Sequence, residues 1–281
     1  MPRRARIASV GAAAGVVLLA ITWYASHYVG FVERADGSIL RGFLELDRGR
    51  FHGLTNFIAS LCDPKRFLFL AAIPVIVAVV RRRPRVAGML VVILLGANET
   101  TQLLKPLLVA PHAYYYGVSA GSWPSGHATA AMSLALSAVI AAPARRRPAV
   151  AAAMAAFEIA VSYSFLVLGW HYPSDVLGGF LVAATWTLLA VAGLSIYEAR
   201  RSGDAGVQRP RTTPISVADA LRPVAAMLAV AALFAAVIVL VRPHEVIAYA
   251  RDHELFVIGA CVIGALGLAL ASGLALVLGR G

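Results

Sequence analysis

The sequence is poor in charged side chains and in cysteine. Charged residues make up 14% of the 281 positions and hydrophobic residues 60%, whereas a soluble domain carries about 25% charged and about 45–50% apolar residues. The mean hydropathy is +0.78. A compact soluble domain cannot hide such an apolar surplus, because it must still cover itself with polar groups. The scarcity of charge therefore excludes an ordinary soluble protein.

Cysteine supplies little chemistry here. The two cysteines are Cys62, in a polar connection, and Cys261, in the last apolar run, so a disulfide between them is not expected. No Cys/His spacing resembles a zinc site. Metal ligation is not predicted.

Apolar runs near the ~20-residue length of a bilayer span recur along the chain. Eight can be marked: residues 8–30, 66–80, 86–104, 127–143, 149–169, 176–196, 223–241 and 255–278. The sequence predicts an all-α, polytopic membrane bundle. Its predicted parts are an N-terminal helix with an outer loop (1–65), catalytic core helices (66–196), a cytoplasmic linker (197–222) and a C-terminal helix pair (223–281). The outer connection 31–65 is expected to be a structured lid or loop, with a short interfacial helix at residues 39–46 as the alternative.

The formal charge of +11 does not indicate nucleic-acid binding, because no basic stripe with interleaved aromatics is present. Arginines instead cluster between the apolar runs. If the N-terminus is cytoplasmic, every cluster falls on the cytoplasmic side, which is a positive-inside pattern in a plasma-type membrane. Both termini are then inside. The clusters are Arg3, Arg4, Arg6; Arg81 to Arg83, Arg85; Arg145 to Arg147; and Arg200, Arg201, Arg209, Arg211.

Three polar groups lie at the predicted outer helix ends. Lys105 closes the third span, where Pro106 disfavours further helix. Pro124-Ser125-Gly126-His127 opens the fourth, where a serine cap and free N–H groups attract anions. His171 and Asp175 stand four residues apart between the fifth and sixth spans, so the carboxylate can orient the ring of a histidine nucleophile. His127 remains as the proton donor to a leaving oxygen.

With these residues the sequence resembles the type 2 phosphatidic acid phosphatases, a membrane branch of the superfamily that includes vanadium haloperoxidases. The resemblance covers roughly residues 60–196 and rests on Lys105, Pro124 to His127, Ser164 and His171 to Gly179. It implies a six-helix core, no metal or other cofactor, and a lipid phosphate as substrate. It also implies a phosphohistidine at His171, orientation by Asp175, acid and base roles for His127, and phosphate contacts from Lys105, Ser125 and Gly126.

Two arginines of the family pattern are absent. The usual positions are seven residues after the lysine and directly after the serine, and here they hold His112 and Phe165. His112 can carry a positive charge at mildly acid pH, but Phe165 cannot. Three explanations are open: a phosphatase using other donors such as Arg41 or Arg242, a phosphotransferase acting on singly charged phosphodiesters, or an inactive scaffold. A haloperoxidase fits least, since vanadate binding requires those arginines.

Two carboxylates inside apolar runs, Glu99 and Glu158, indicate either function or buried polar packing. Glu99 lies in a polar stretch, residues 98–102, and is a candidate for pairing with Lys105, contacting an acceptor hydroxyl or bonding another helix. A transporter that uses both glutamates as a polar pathway is the rival hypothesis from another functional class. Oligomeric state is not predicted.

Overall fold

The computed structural model describes residues 1–47, 49–109, 115–205 and 217–279. Every regular element in these ranges is helical, which confirms the predicted all-α class. The helices are α1 (Arg3–Tyr28), α2 (Gly30–Leu44), α3 (Gly49–Ala59), α4 (Pro64–Val80), α5 (Pro84–Leu107), α6 (Gly126–Ala141), α7 (Arg147–Val167), α8 (Pro173–Ala205), α9 (Val217–Val241), α10 (Pro243–Asp252) and α11 (Glu254–Gly279). Short 3-10 turns occupy Ser60–Cys62, Tyr115–Gly117 and Ala144–Arg146.

Each of the eight predicted spans falls on a helix. Within the described ranges, six helices are long and apolar enough to cross a membrane: α1, α5, α7, α8, α9 and α11. The remaining two, α4 and α6, have 17 and 16 residues, or about 24–26 Å at 1.5 Å per residue. The chain is a multi-pass membrane protein.

Helix α6 is the centre of the bundle. It packs against α7, α8, α5 and α4, and nearly all of its side chains are buried. α1 packs along α8, and α11 packs against α7, α2 and α6. α9 contacts α7 but leaves its apolar surface exposed, as expected for a helix at the lipid boundary.

The connection 31–65 is more helical than predicted. The sequence favours a structured lid or loop over a short helix at 39–46, but most of that run belongs to α2, which begins at Gly30 and ends at Leu44. Its apolar positions Leu40 and Phe43 are spaced by three and both are buried, so one face of α2 packs on the bundle. α3 and the Ser60–Cys62 turn complete the connection.

Two other boundaries differ from the prediction. α5 continues through Pro106 to Leu107; the proline only weakens the last turn, where few carbonyls still need a helical partner. α8 extends to Ala205 and α9 begins at Val217, so both edges of the predicted linker are helical. Residues 206–216 lie outside the described part of the chain.

The two ends of the helix bundle differ in their charged and polar side chains. His127 begins α6 and Lys105 lies in the last turn of α5. Arg83 precedes α5 and Arg147 begins α7 at the other end of the bundle. From Arg83 to Lys105 the rise of α5 is about 33 Å, calculated at 1.5 Å per residue.

Candidate active site

The start of α6 is shaped by Ser125. Its backbone is extended and its hydroxyl accepts a hydrogen bond from the Ala128 N–H at 3.2 Å, which is the ordinary N-cap arrangement. Gly126 and His127 follow as the first two helical residues. The predicted cap is therefore present, and it holds His127 in the first turn of α6.

His171 and Asp175 lie side by side and are both buried. The Nδ1 atom of His171 is 3.3 Å from Asp175 Oδ2, which also accepts the Tyr172 N–H at 2.9 Å. α8 begins at Pro173. Proline is tolerated at the first position of a helix because its fixed φ suits the helix and the N–H that it lacks would have no partner within the helix. This turn fixes the carboxylate on Nδ1, so Nε2 of His171 is left for substrate.

A backbone hydrogen bond joins the segment that contains Ser125 and His127 to the segment that contains His171 and Asp175. The Ser125 N–H donates to the Asp175 carbonyl at 3.0 Å. α6 and α8 cross closely here, because a methyl group at Gly179 would lie 2.7 Å from the Ser125 carbonyl oxygen. The His127 and His171 rings are consequently 6.0 Å apart, centre to centre.

His127 has an acidic partner that sequence reasoning missed. Its Nε2 atom lies 3.1 Å from Asp63 Oδ1, and its ring lies 5.3 Å from the Trp170 ring. Asp63 precedes α4, yet its side chain makes no capping bond there. The sequence placed Asp63 among several acids of a polar connection, and nothing in its spacing singled it out.

Phe165 packs against the rings of both histidines. It is fully buried, with its ring 5.2 Å from the His171 ring and 6.0 Å from the His127 ring. At the sequence position where the family pattern has an arginine, this chain therefore has an apolar side chain next to both histidines. Phe165 cannot supply the planar, permanently charged guanidinium group with which an arginine binds phosphate through two hydrogen bonds.

Lys105 is brought to the start of α6. A methyl group at Gly126 would lie 3.7 Å from Lys105 Nζ and 3.4 Å from Gln102 Nε2. The ammonium also lies within electrostatic range of Asp175 and His127. A lysine, an amide and the helix N-terminus therefore surround one space, a combination that suits an anion.

Asp36 is a second acid that the sequence did not single out. Its Oδ1 accepts the Ser174 N–H at 2.9 Å, and its Oδ2 accepts the Ser174 hydroxyl at 2.5 Å. Desolvation by burial raises the pKa of Asp36 from 3.8 to about 7, the Ser174 hydrogen bonds lower it, and Asp175 raises it. α2 is thereby attached to the turn that carries His171.

The other candidates lie apart from the histidines or outside the described residues. Glu99 is exposed on α5. Arg41 pairs with Glu45 at 3.0 Å and Arg242 with Glu245 at 3.1 Å, both on exposed surfaces. Ser164 is buried beside Phe165 on α7, and His112 lies outside the described part of the chain.

The polar stretch around Glu99 is used for helix packing. Thr101 and Thr129 hydroxyls are 2.9 Å apart, and Trp186 Nε1 donates to Thr100 at 3.0 Å. In the described ranges, no three His, Cys, Asp or Glu side chains are grouped as a metal ion would require. The chemistry of the site therefore depends on His127 and His171, each paired with a carboxylate, next to the space that contains the Lys105 ammonium.

Comparison with known proteins bears on the family and the fold. Residues 66–197 match the PAP2 superfamily. The fold is similar to the crystal structure of a transmembrane PAP2-type phosphatidylglycerolphosphate phosphatase from Bacillus subtilis, with a TM-score of 0.53, 20% identity, and coverage of 71% of this chain and 98% of that one. No curated protein sequence matches the chain.

The chain is therefore a multi-pass membrane protein in which residues 66–197 form a PAP2 superfamily domain, and the predicted resemblance of this region to the type 2 phosphatidic acid phosphatases is confirmed. Membrane lipid phosphatase is the general class of activity that this assignment supports.

Proposed function

We propose that the protein hydrolyses a lipid phosphate ester through a phosphohistidine at His171. The observation that supports this most directly is the 3.3 Å approach of Asp175 to Nδ1 of His171. A carboxylate on Nδ1 keeps the proton there and leaves the Nε2 lone pair for attack. Asp175 also stabilises the positive charge that the ring gains as the N–P bond forms.

In the first step, Nε2 of His171 attacks phosphorus and the bond to the lipid oxygen breaks. His127, paired with Asp63 at 3.1 Å, gives its proton to that oxygen, so a lipid alcohol leaves. General acid assistance of this kind contributes about 10²–10⁴-fold. Lys105, the N-terminal N–H groups of α6 and Gln102 hold the phosphoryl oxygens.

In the second step, His127 is neutral and takes a proton from water. The water oxygen attacks phosphorus, the N–P bond breaks, and inorganic phosphate leaves. Both histidines return to their starting states. Atoms and charges balance without a further reactant.

The positive-inside pattern supports an orientation in which this site faces outward and both termini are cytoplasmic. Substrates that reach an outer-face site within the bilayer are lipids with a terminal phosphate or pyrophosphate. Isoprenyl (pyro)phosphates, phosphatidate-like lipids and lipid-linked sugar phosphates all meet this description.

A second candidate is favoured by Phe165. Its ring packs against both histidines at the sequence position where the family pattern has a phosphate-binding arginine, and a phosphodiester with one negative charge requires less compensation than a monoester dianion. The phosphorylated His171 would then pass its headgroup to an acceptor hydroxyl instead of water. This makes the protein a lipid phosphotransferase.

The test compares wild type, His171→Ala and His253→Ala in detergent with lipid phosphomonoesters, pyrophosphates and phosphodiesters. His253 is a suitable control because it pairs with Glu45, outside the catalytic cluster. Free phosphate lost only in His171→Ala supports the phosphatase. A new phosphodiester lipid without free phosphate supports the transferase. Equal results for wild type and His171→Ala would rule out both.

A further inference from the structure

A cluster of arginines lines a cavity at the end of the bundle opposite the histidines. Arg4, Arg83 and Arg147 surround it together with Glu198 and Ser195. The three arginines come from positions far apart in sequence, at the starts of α1, α5 and α7. A positive-inside bias requires only that arginines lie on one membrane side; it does not require them to converge on one cavity.

The cavity carries excess positive charge. Its lining holds three guanidinium groups and the single carboxylate of Glu198, so the formal net charge of the lining is three minus one, or +2. Burial and the neighbouring Arg81 lower the pKa of Arg83, whereas Glu198 raises it. Three helix N-termini at the same end add positive dipole ends. Charges held together at such close range favour an anion among them.

Two arginines are already oriented by the protein. Arg147 Nη1 donates to the Leu278 carbonyl at 3.1 Å, and Arg83 Nη1 approaches the Ile140 carbonyl at 3.5 Å. Each guanidinium has five N–H donors, so most remain for a ligand. Within the described residues, the enclosed Nε of Arg147 has no hydrogen-bond partner. A buried donor without an acceptor is costly unless a ligand supplies one.

The size and the walls of the cavity restrict the ligand. Its volume is about 80 Å³, more than the roughly 10–15 Å³ needed by one water molecule, so a phosphate group fits. Met89, Val191 and Leu194 form an apolar wall beside the arginines. Charge next to an apolar wall at a membrane surface suits a molecule that has a phosphate and hydrocarbon chains.

We propose that this arginine cavity binds the phosphate of an anionic phospholipid from the leaflet opposite the catalytic site. The phosphate oxygens accept from Arg83 and Arg147, and the acyl chains lie along the apolar wall formed by α5 and α8. The site is separate from the catalytic histidines and its existence does not depend on the reaction proposed for them.

The experiment uses native mass spectrometry of the detergent-purified full chain with phosphatidylglycerol and phosphatidylcholine. Arg83→Gln/Arg147→Gln is expected to bind phosphatidylglycerol about tenfold more weakly than wild type, a loss of ~1.4 kcal/mol, with phosphatidylcholine unchanged. Arg145→Gln/Arg146→Gln is the control, since it removes the same charge from exposed positions of the same loop. Equal losses in both double variants would overturn the proposal, as would an unchanged Arg83→Gln/Arg147→Gln.

Two further arms separate the remaining outcomes. In the first, inorganic phosphate is added without lipid and the thermal unfolding temperature is measured. If phosphate stabilises the protein as much as the lipid does, and only when Arg83 is present, the ligand is a free anion. That result would overturn the lipid assignment. Arg83→Lys/Arg147→Lys keeps the charge and is expected to retain part of the binding, because lysine lacks the bidentate fork. This variant keeps the test decisive if the glutamine variant does not fold.

Discussion

The His127 ring nitrogen Nε2 lies 3.1 Å from the Asp63 carboxylate, which reaches it from the residue preceding α4. The Asp63 side chain is 45% exposed and that of His127 24% exposed. Each histidine of the site thus has its own carboxylate, Asp63 for His127 and Asp175 for His171. The two pairs are predicted to have different roles, His127 as the proton donor and acceptor and His171 as the nucleophile.

Asp63→Asn is expected to slow release of poor leaving groups selectively. A carboxylate orients the His127 ring and supports its proton donation, so turnover of an alkyl phosphate should fall about tenfold or more, within the range of general acid catalysis. A 4-nitrophenyl ester, whose leaving group departs without a proton, should be much less affected. The measurement is kcat and KM for both esters.

Asp47→Asn is the matched control, because Asp47 pairs with His52 at 2.9 Å on an exposed surface. Equal losses with both leaving groups in Asp63→Asn would show a purely structural role. Asp63→Glu should recover part of the selective effect.

Phe165→Arg is expected to strengthen inhibition by inorganic phosphate. The side chain at this position lies beside both histidine rings, where a guanidinium can make a charged hydrogen bond worth about 1.5–3 kcal/mol. The inhibition constant should fall about tenfold, equivalent to ~1.4 kcal/mol. Phe165→Leu removes the ring without adding charge and should not strengthen inhibition. A folded Phe165→Arg with unchanged inhibition contradicts this account of the missing arginine.

Asp36→Asn should change the pH dependence of stability. The folded pKa of Asp36 is raised from 3.8 to about 7 by burial, so between these values the folded state binds a proton that the unfolded state has lost. Wild type should therefore lose stability relative to Asp36→Asn as pH rises from about 4 to about 7, and the difference should be constant above that range. Thermal unfolding in detergent across this range measures it. Glu33→Gln, on the same helix, is the control, and a parallel pH profile for wild type and Asp36→Asn contradicts the prediction.

Gly267→Ala should destabilise the packing of α11 on α7. A methyl group at Gly267 would overlap Oε1 of Glu158, which is fully buried, and overpacking costs about 1–3 kcal/mol. Gly273→Ala is the control, since a methyl group there meets nothing within 4 Å. Glu158→Ala should relieve the defect in a double-mutant cycle. Additive effects on the unfolding midpoint would show that Glu158 and Gly267 are not coupled.

The same pair bears on the transporter hypothesis. Glu158 faces α11 in a closed helix contact, and Glu99 is exposed on α5. A polar pathway through both glutamates requires that they line a common space, and the structure gives them different surroundings. Both carboxylate oxygens of Glu158 are buried and have no hydrogen-bond partner among the described residues, so the contact with Gly267 explains the position of this side chain but not its polar group.

The sequence by itself determined the helical class, the spans and the motifs of the candidate site. Apolar run length, helix-capping residues and the four-residue spacing of His171 and Asp175 are local properties, and short-range physics is sufficient to interpret them. The division at residues 65, 196 and 222 remains a prediction, as do the roles of the site residues and the orientation in the membrane.

Tertiary structure alone decided which distant residues meet. Asp63 is 64 positions from His127 and Asp36 is 138 positions from Ser174, and only the packing of α2 and α4 on the bundle brings them together. The same holds for Arg83 and Arg147, which converge because the starts of α5 and α7 lie at one end of the bundle. Contacts of this kind depend on how helices cross, and periodicity along one chain segment carries no information about crossing.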